Sequence, residues 1–184
     1  MSTPLSSLKI LDFSTLLPGP YASMMLADLG AEILRIESPT RPDIVRTLWP
    51  QVKGGSATHA TLNRSKKSLA LNLKYPQAVK IVQQLVGKYD IVLEQFRPGV
   101  MKRLGLDYGE LRKHNLSLIF CSLTGYGQTG PYRNRAGHDL NYLAISGVSN
   151  CSRRKNEPPV PMGIQIADIA GGSYHTVMGI LAAV

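Results

Sequence analysis

The sequence predicts an α/β fold built around a mainly parallel sheet. Short apolar runs of strand length alternate with stretches of helical spacing, and glycine and proline turn signals separate them. The 184 residues are 43% hydrophobic, enough to bury one core. Such β-α repeats favour parallel strands linked by helices. We therefore assign residues 1–184 to one domain.

The first unit reads strand, turn, helix, strand. A buried strand is predicted over 8–13, followed by the turn Pro18-Gly19-Pro20. Residues 21–29 have helical spacing, and Gly30 is the expected stop. A second strand is predicted over 31–37. The unit resembles a dinucleotide-binding motif, but its turn lacks the glycine fingerprint, which argues against NAD.

The rest of the chain continues the alternation. Residues 38–65 are rich in Pro and Gly and predict a surface loop with at most short helices. Later elements share clear apolar periodicity: strands over 68–73, 90–94 and 116–123, and helices over 76–88, 100–104, 108–114, from near 138, and from about 168 to the end. The last helix has no cap after Val184, so we expect the chain to be part of a longer one.

Composition restricts the function classes. The longest apolar run, 177–184, is far shorter than the roughly 20 residues of a membrane span. Residues 1–9 lack the pattern of a secretory signal, so a cytoplasmic location is expected. Cys121 and Cys151 are expected to be reduced and structural, and no cluster has metal-ligand spacing. The net charge of +9 is dispersed, which favours a polyanionic small molecule over nucleic acid.

Several spaced motifs carry a resemblance that covers residues 5–184. They are Leu11-Asp12, Gly19-Pro20, the run 26–32, 64–74, 94–105 and 125–131. In this order they resemble the amino-terminal half of α-methylacyl-CoA racemases, members of the family III CoA-transferase superfamily. The resemblance implies a Rossmann-like domain that binds CoA, with the family's smaller second domain largely missing here. It also implies acyl-CoA substrates, no separate cofactor, and an interlocked homodimer at full length.

Two positions bear on the subfamily. Formyl-CoA transferases usually place Gln just before the Gly-Pro turn, where this chain has Leu16-Leu17-Pro18. They usually have Gly-Tyr-Asp where this chain has Gly137-His138-Asp139. Both differences resemble the racemases.

The resemblance makes His138 and Asp168 the catalytic pair. Epimerisation at an α-carbon needs two proton-transfer groups on opposite faces, and a neutral imidazole and a carboxyl group suit these roles. His138 would remove the α-proton of a 2-methylacyl-CoA, and Asp168 would reprotonate the enolate. Backbone N–H groups at the start of the Asp168 helix are candidates to stabilise the oxyanion.

Other interpretations stay open. Asp168 suits a CoA-transferase nucleophile or a helix N-cap, and His138 also suits a cap or a core hydrogen bond. Asp139 is expected to orient His138 or to bond backbone. His175 is a rival imidazole for which packing is favoured. The chain also fits an inactive CoA-binding or dimerisation fragment.

The CoA site follows from the resemblance. Its predicted residues are Leu71, Asn72, Leu73, Lys74, Gln95, Phe96, Arg97, Arg103, Gly137, His138, Asp139, Leu140, Asn141 and Tyr142. Arginines pair bidentately with phosphate and a lysine adds a point charge. Arg64, Lys66 and Lys67 are further candidates, with a solvated basic loop as the alternative. Racemases often have an Arg shortly after the second strand, where this chain has Ser38. Arg35 and Arg41 are therefore the candidates to stack on adenine in its place.

Overall fold

The computed structural model describes residues 3–184 and contains a sheet of five parallel strands. The strands are β1 (Lys9–Asp12), β2 (Glu32–Glu37), β5 (Lys66–Ala70), β6 (Ile91–Glu94) and β7 (Ile119–Ser122). Their spatial order is β5-β2-β1-β6-β7. Two short strands, β3 (Gln51–Val52) and β4 (Gly55–Ser56), form a separate antiparallel pair. The predicted α/β fold with a mainly parallel sheet is confirmed.

Helices cover both faces of the sheet. They are α1 (Pro18–Asp28), α2 (Ala57–Leu62), α3 (Pro76–Val86), α4 (Val100–Arg103), α5 (Tyr108–Leu111), α6 (Asp139–Ile145) and α7 (His175–Ala183). Neighbouring residues of β1 enter opposite cores: Leu11 packs with Val82 of α3, whereas Ile10 packs with Leu26 of α1. Because both faces are covered, the central strands read as continuous apolar runs.

Some element boundaries differ from the sequence predictions. The Pro18-Gly19-Pro20 segment is the first turn of α1 and not a separate turn, since proline is well suited to the first helical positions. Strand β5 begins at Lys66 instead of 68 and ends at Ala70. Gly30 follows the end of α1 as predicted, with a φ of 105° that favours glycine.

The 38–65 region contains short helices, as predicted, but it is not purely a surface loop. It holds a 3₁₀ helix, Ile44–Thr47, as well as α2. Val45, Leu62 and the side chain of Asp43 are buried. This region is therefore packed onto the sheet.

The carboxyl-terminal helical region is irregular. Residues Ala167–Tyr174 form a π-helix that continues directly into α7. A 3₁₀ helix, Val148–Ser152, follows α6. π-Helical turns are rare and are often found at functional sites.

The chain order creates a crevice at the carboxyl ends of two central strands. Strands β1 and β6 are neighbours, and the connections that follow them lead toward opposite ends of the sheet. In open parallel sheets, ligands bind at the carboxyl ends of the strands where this reversal occurs. No helix among residues 3–184 is both long and apolar enough to span a bilayer. Met1 and Ser2, part of the segment assessed for a signal, lie outside the described residues.

Candidate active site

A cavity of about 630 Å³ lies at this crevice. Its walls come from the segments that follow three strands: Leu16 and Pro18 after β1, 95–98 after β6, and 123–126 after β7. The remaining walls come from residues 133–137, from α6 and the residues that follow it, and from the π-helix. The switch point of the sheet thus forms a candidate binding site.

His138 lies in this cavity at the N-terminus of α6. Its backbone N–H donates to Oδ1 of Asn141 at 2.9 Å, and the N–H of Asn141 donates to the carbonyl of His138 at 2.9 Å. These bonds fix the backbone where the helix begins. The ring itself is exposed toward the cavity.

Asp168 lines the same cavity from the π-helix. Burial raises the pKa of its carboxyl group, the charge of Asp139 raises it further, and His138 lowers it. The structure therefore brings the predicted pair, His138 and Asp168, into one cavity.

Asp139 connects the two elements that carry this pair. Its side chain is buried, and Oδ1 accepts a hydrogen bond from the N–H of Asp168 at 3.0 Å. The expectation that Asp139 bonds backbone is confirmed, although the backbone belongs to a residue far along the chain. A buried carboxylate that accepts an N–H is a strong, directional contact.

The π-helix is fastened to α1 on its other side. The buried Ser173 hydroxyl makes hydrogen bonds to the carbonyl of Pro18 at 2.7 Å and to that of Asp168 at 3.2 Å. A side chain at Gly172 would press against Pro18. These contacts hold Asp168 against the start of α1.

Three tyrosines pack in a row, and two of them, Tyr126 and Tyr142, line the cavity. Tyr126 packs edge-on against Tyr142 and Tyr132, with ring centroids 5.2 and 5.7 Å apart. The Tyr142 hydroxyl donates to the carbonyl of Gly137 at 2.7 Å. Any side chain at Gly125 or Gly137 would overlap the Tyr142 ring. Glycine at positions 125 and 137 is thus explained by close packing against the Tyr142 ring.

The predicted CoA residues separate into two groups. Those that line the cavity are Gln95, Phe96, Arg97, Gly137, His138 and Tyr142. Those that lie outside it are Leu71, Asn72, Leu73, Lys74, Arg103, Asp139, Leu140 and Asn141. Within the first group, Oε1 of Gln95 accepts the N–H of Gly19 at 2.9 Å and so also anchors α1.

The outer group has structural contacts of its own. Leu71 and Leu73 pack against the hydrophobic core after β5. Asn72 forms a turn there, with Oδ1 accepting the N–H of Lys74 at 3.2 Å. Lys74 and Arg103 are exposed and have no ion-pair partner among residues 3–184.

Two basic candidates prove to be buried. Arg35 is 2% exposed and pairs with Asp43 at 2.5 Å and with Glu37 at 3.3 Å, so it cannot stack on adenine. The side chain of Lys66 is 1% exposed and donates to Ser23 Oγ and to the carbonyl of Pro20, both at 2.8 Å. Burial lowers its pKa to about 8. Both side chains stabilise the fold and do not reach a ligand.

The remaining candidates of that set lie on the surface. Arg64 pairs with Asp28, and Lys67 pairs with Glu32 at 3.2 Å. Arg41 is exposed. The solvated-loop interpretation therefore fits Arg64 and Lys67 better than phosphate binding.

The amides at the start of the Asp168 helix are already engaged. The N–H of Asp168 donates to Asp139, and that of Ile169 donates to the carbonyl of Gln165 at 3.0 Å. These two N–H groups therefore already have acceptors, and the sequence left open which amides would stabilise the oxyanion. His175 is exposed, outside the cavity, and its Nδ1 lies 2.8 Å from the carbonyl oxygen of Ala170.

Several cavity residues were missed from sequence. Arg133, Arg135 and the segment 123–126 line the site, as do Gly171 and Gly172. The motif 125–131 was visible as a spaced feature, and its position just before His138 was a usable signal. Cys121, by contrast, is half-buried in β7, and burial raises the pKa of its thiol to about 11.

Comparison with known proteins gives a consistent family assignment. The model of CoA-transferase family III matches residues 5–184. Human succinyl-CoA:glutarate CoA-transferase is 41% identical over 172 residues, which are 93% of this chain and 39% of that protein. Human α-methylacyl-CoA racemase is 38% identical over 181 residues, 97% of this chain and 43% of that protein.

A solved structure agrees with the fold. A CAIB/BAIF family protein from Brucella suis superposes with a TM-score of 0.93 at 34% identity, covering 100% of this chain and 49% of that one. The chain thus spans less than half the length of each of these three proteins.

Proposed function

Because the chain belongs to CoA-transferase family III, we propose that its cavity epimerises 2-methylacyl-CoA thioesters by two-base proton transfer. One observation carries the proposal. His138 and Asp168 line the same cavity, and Asp139 joins their elements through the N–H of Asp168. Two proton-transfer groups held at one site are what inversion of an α-carbon requires.

The reaction runs through an enolate. Neutral His138 takes the α-proton of one epimer, and the electron pair of the broken C–H bond moves into the thioester. Protonated Asp168 then gives a proton to the other face of the α-carbon. In reverse, ionised Asp168 takes the proton and the imidazolium of His138 returns one. The raised pKa of Asp168 favours the protonated acid that the forward direction needs.

The residue types at two positions support this class of reaction. A histidine stands at 138, and Leu16-Leu17-Pro18 precedes the Gly-Pro pair. The formyl-CoA transferase pattern has tyrosine and glutamine at these places. The 38% identity with human α-methylacyl-CoA racemase is in line with this choice.

CoA would enter as part of the substrate, with no separate cofactor. Arg97 lies in the cavity and offers a guanidinium without an ion-pair partner among residues 3–184. Lys74 and Arg103 are exposed cations that would hold the phosphates outside the reaction chamber. In a chain of the relatives' full length, a homodimer would complete the site.

CoA transfer is the second candidate, because succinyl-CoA:glutarate CoA-transferases of human and mouse are 41% and 39% identical to the chain. In that reaction the Asp168 carboxylate attacks the acyl-CoA carbonyl, forming a mixed anhydride and releasing CoA thiolate. The thiolate then attacks the aspartyl carbonyl, giving an aspartyl-CoA thioester and the free acid. This route gives His138 no chemical role.

Single substitutions separate the two reactions. In the purified protein, we expect both His138→Gln and Asp168→Asn to abolish epimerisation, while His175→Gln keeps it, because His175 lies outside the cavity. Chiral separation of the released acids measures the rate. A His138→Gln protein that retains full epimerisation would exclude the two-base mechanism. Transfer that survives His138→Gln and fails in Asp168→Asn would support the second candidate.

A further inference from the structure

Two guanidinium groups in the cavity have no assigned role. Arg133 and Arg135 both line it, in the segment that leads into His138. Neither has a carboxylate within ion-pair distance in the part of the chain that the structure describes. By contrast, Arg35, Arg46 and Arg64 all pair with carboxylates. The cavity therefore has three arginines, these two and Arg97, that form no ion pair with a described acidic group.

Arg135 is held in place by aromatic packing. Its guanidinium carbon lies 4.3 Å from the centroid of the Tyr132 ring, a cation–π distance. Tyr132 packs edge-on against Tyr126, which packs against Tyr142 of α6. This chain of rings links the guanidinium to the helix that begins beside His138. Such a pre-positioned fork suits a planar, bidentate anion.

The position favours the acyl end of the substrate over its CoA end. Arg135 precedes His138 by three residues, so their Cα atoms are at most about 11 Å apart. Both arginines line the same cavity as His138 and Asp168. The phosphates of CoA are separated from the thioester by the long pantetheine arm. Arg97, Lys74 and Arg103 are already proposed for them.

The rest of the cavity suits the carbon chain between the two ends. Leu16, Leu123, Leu143, Val148 and Ile166 supply aliphatic surface. An acyl group with methylene carbons and a terminal charge would contact these side chains and then reach the guanidinium groups.

We propose that Arg133 and Arg135 form a carboxylate subsite, which selects acyl-CoA substrates bearing a second carboxylate at the far end of the acyl chain. This rests on the proposed function, since it places the thioester beside His138 and Asp168. It applies equally to a transferred dicarboxylate. The subsite contributes binding and takes no part in proton transfer.

Binding measurements test the subsite without requiring turnover. Titration calorimetry with succinyl-CoA and butyryl-CoA compares acyl chains of equal length with and without the terminal carboxylate. We expect the wild-type protein to prefer succinyl-CoA, and the Arg133→Gln/Arg135→Gln double variant to lose roughly 10- to 100-fold in affinity for succinyl-CoA alone. Arg112→Gln is the matched control, because Arg112 stacks over Tyr108 outside the cavity.

The outcomes distinguish the proposals. If the double variant loses affinity equally for succinyl-CoA and butyryl-CoA, the arginines bind the CoA phosphates and the carboxylate subsite is overturned. Equal binding of both thioesters by the wild-type protein would also overturn it, while leaving epimerisation intact. If neither thioester binds, the proposed function fails together with the subsite. Matching thermal unfolding midpoints for all variants exclude misfolding as the cause of a loss.

Discussion

The Asp139 carboxylate accepts the backbone N–H of Asp168 at 3.0 Å, although the two residues are 29 positions apart. Asp139 directly follows His138, so this bond joins the segments that carry both proposed proton-transfer groups. It explains why a buried carboxylate stands at the start of α6. It also gives Asp139 two effects, one on the position of Asp168 and one on its pKa.

The positional effect predicts a graded response at Asp139. Asp139→Ala removes the acceptor, leaves the N–H of Asp168 unpaired, and should lower kcat/KM for epimerisation roughly 10- to 100-fold. Asp139→Asn keeps an oxygen acceptor and should retain most of the activity near neutral pH. Steady-state kinetics measure both. Wild-type kinetics in the alanine variant would show that the bond does not position Asp168.

The charge effect predicts a shift in pH dependence. The active pair carries one shared proton, so kcat/KM falls at low pH when Asp168 and His138 are both protonated. Asp139 raises the pKa of Asp168, and Asp139→Asn removes that negative charge. The pKa of Asp168 should then fall, and the acid limb of the profile should move to lower pH. Profiles from about pH 4 to 9 measure it. A limb that stays in place or moves upward would contradict this electrostatic coupling.

The close packing around Gly19 predicts that a side chain at this position lowers the stability of the fold. A Cβ there would overlap the side chains of Ser14 and Gln95. Gly19→Ala should therefore lower the free energy of unfolding by about 1 to 3 kcal/mol. Gly179→Ala is the control, because it lies in α7 with open space around it and should raise stability by about 0.5 to 1 kcal/mol. Urea unfolding measures both, and equal stability of Gly19→Ala and wild type would refute the packing argument.

The sheet was largely predictable because its central strands are buried on both faces. Strands β1 and β6 carry short apolar runs and Arg35 interrupts that of β2, and the structure has all three strands within two residues of the predicted bounds. The start of β5 was missed because Lys66 and Lys67 break the apolar run. Lys66 occupies a buried position because Ser23, the carbonyl of Pro20 and Asn63 accept its hydrogen bonds and Asp12 pairs with its charge at 3.7 Å. Local hydrophobicity carries no information about such distant partners.

The site was predictable only in part. Motif resemblance identified His138 and Asp168, and the structure brings both into one cavity. It could not show that Arg35 is buried against Asp43, or that Asp139 bonds Asp168, because these contacts depend on how separate segments pack. Arg133 and Arg135 were missed because arginine in a polar loop usually indicates solvent exposure.

The most direct test follows the α-proton. A single epimer of a 2-methylacyl-CoA is incubated with the purified protein in deuterated water, and α-deuterium and configuration are followed by mass spectrometry and chiral separation. We predict that the opposite epimer forms and that it carries solvent deuterium at the α-carbon. Retained configuration and no deuterium uptake, with CoA passing to an added carboxylic acid, would contradict proton transfer and identify a transferase that uses Asp168.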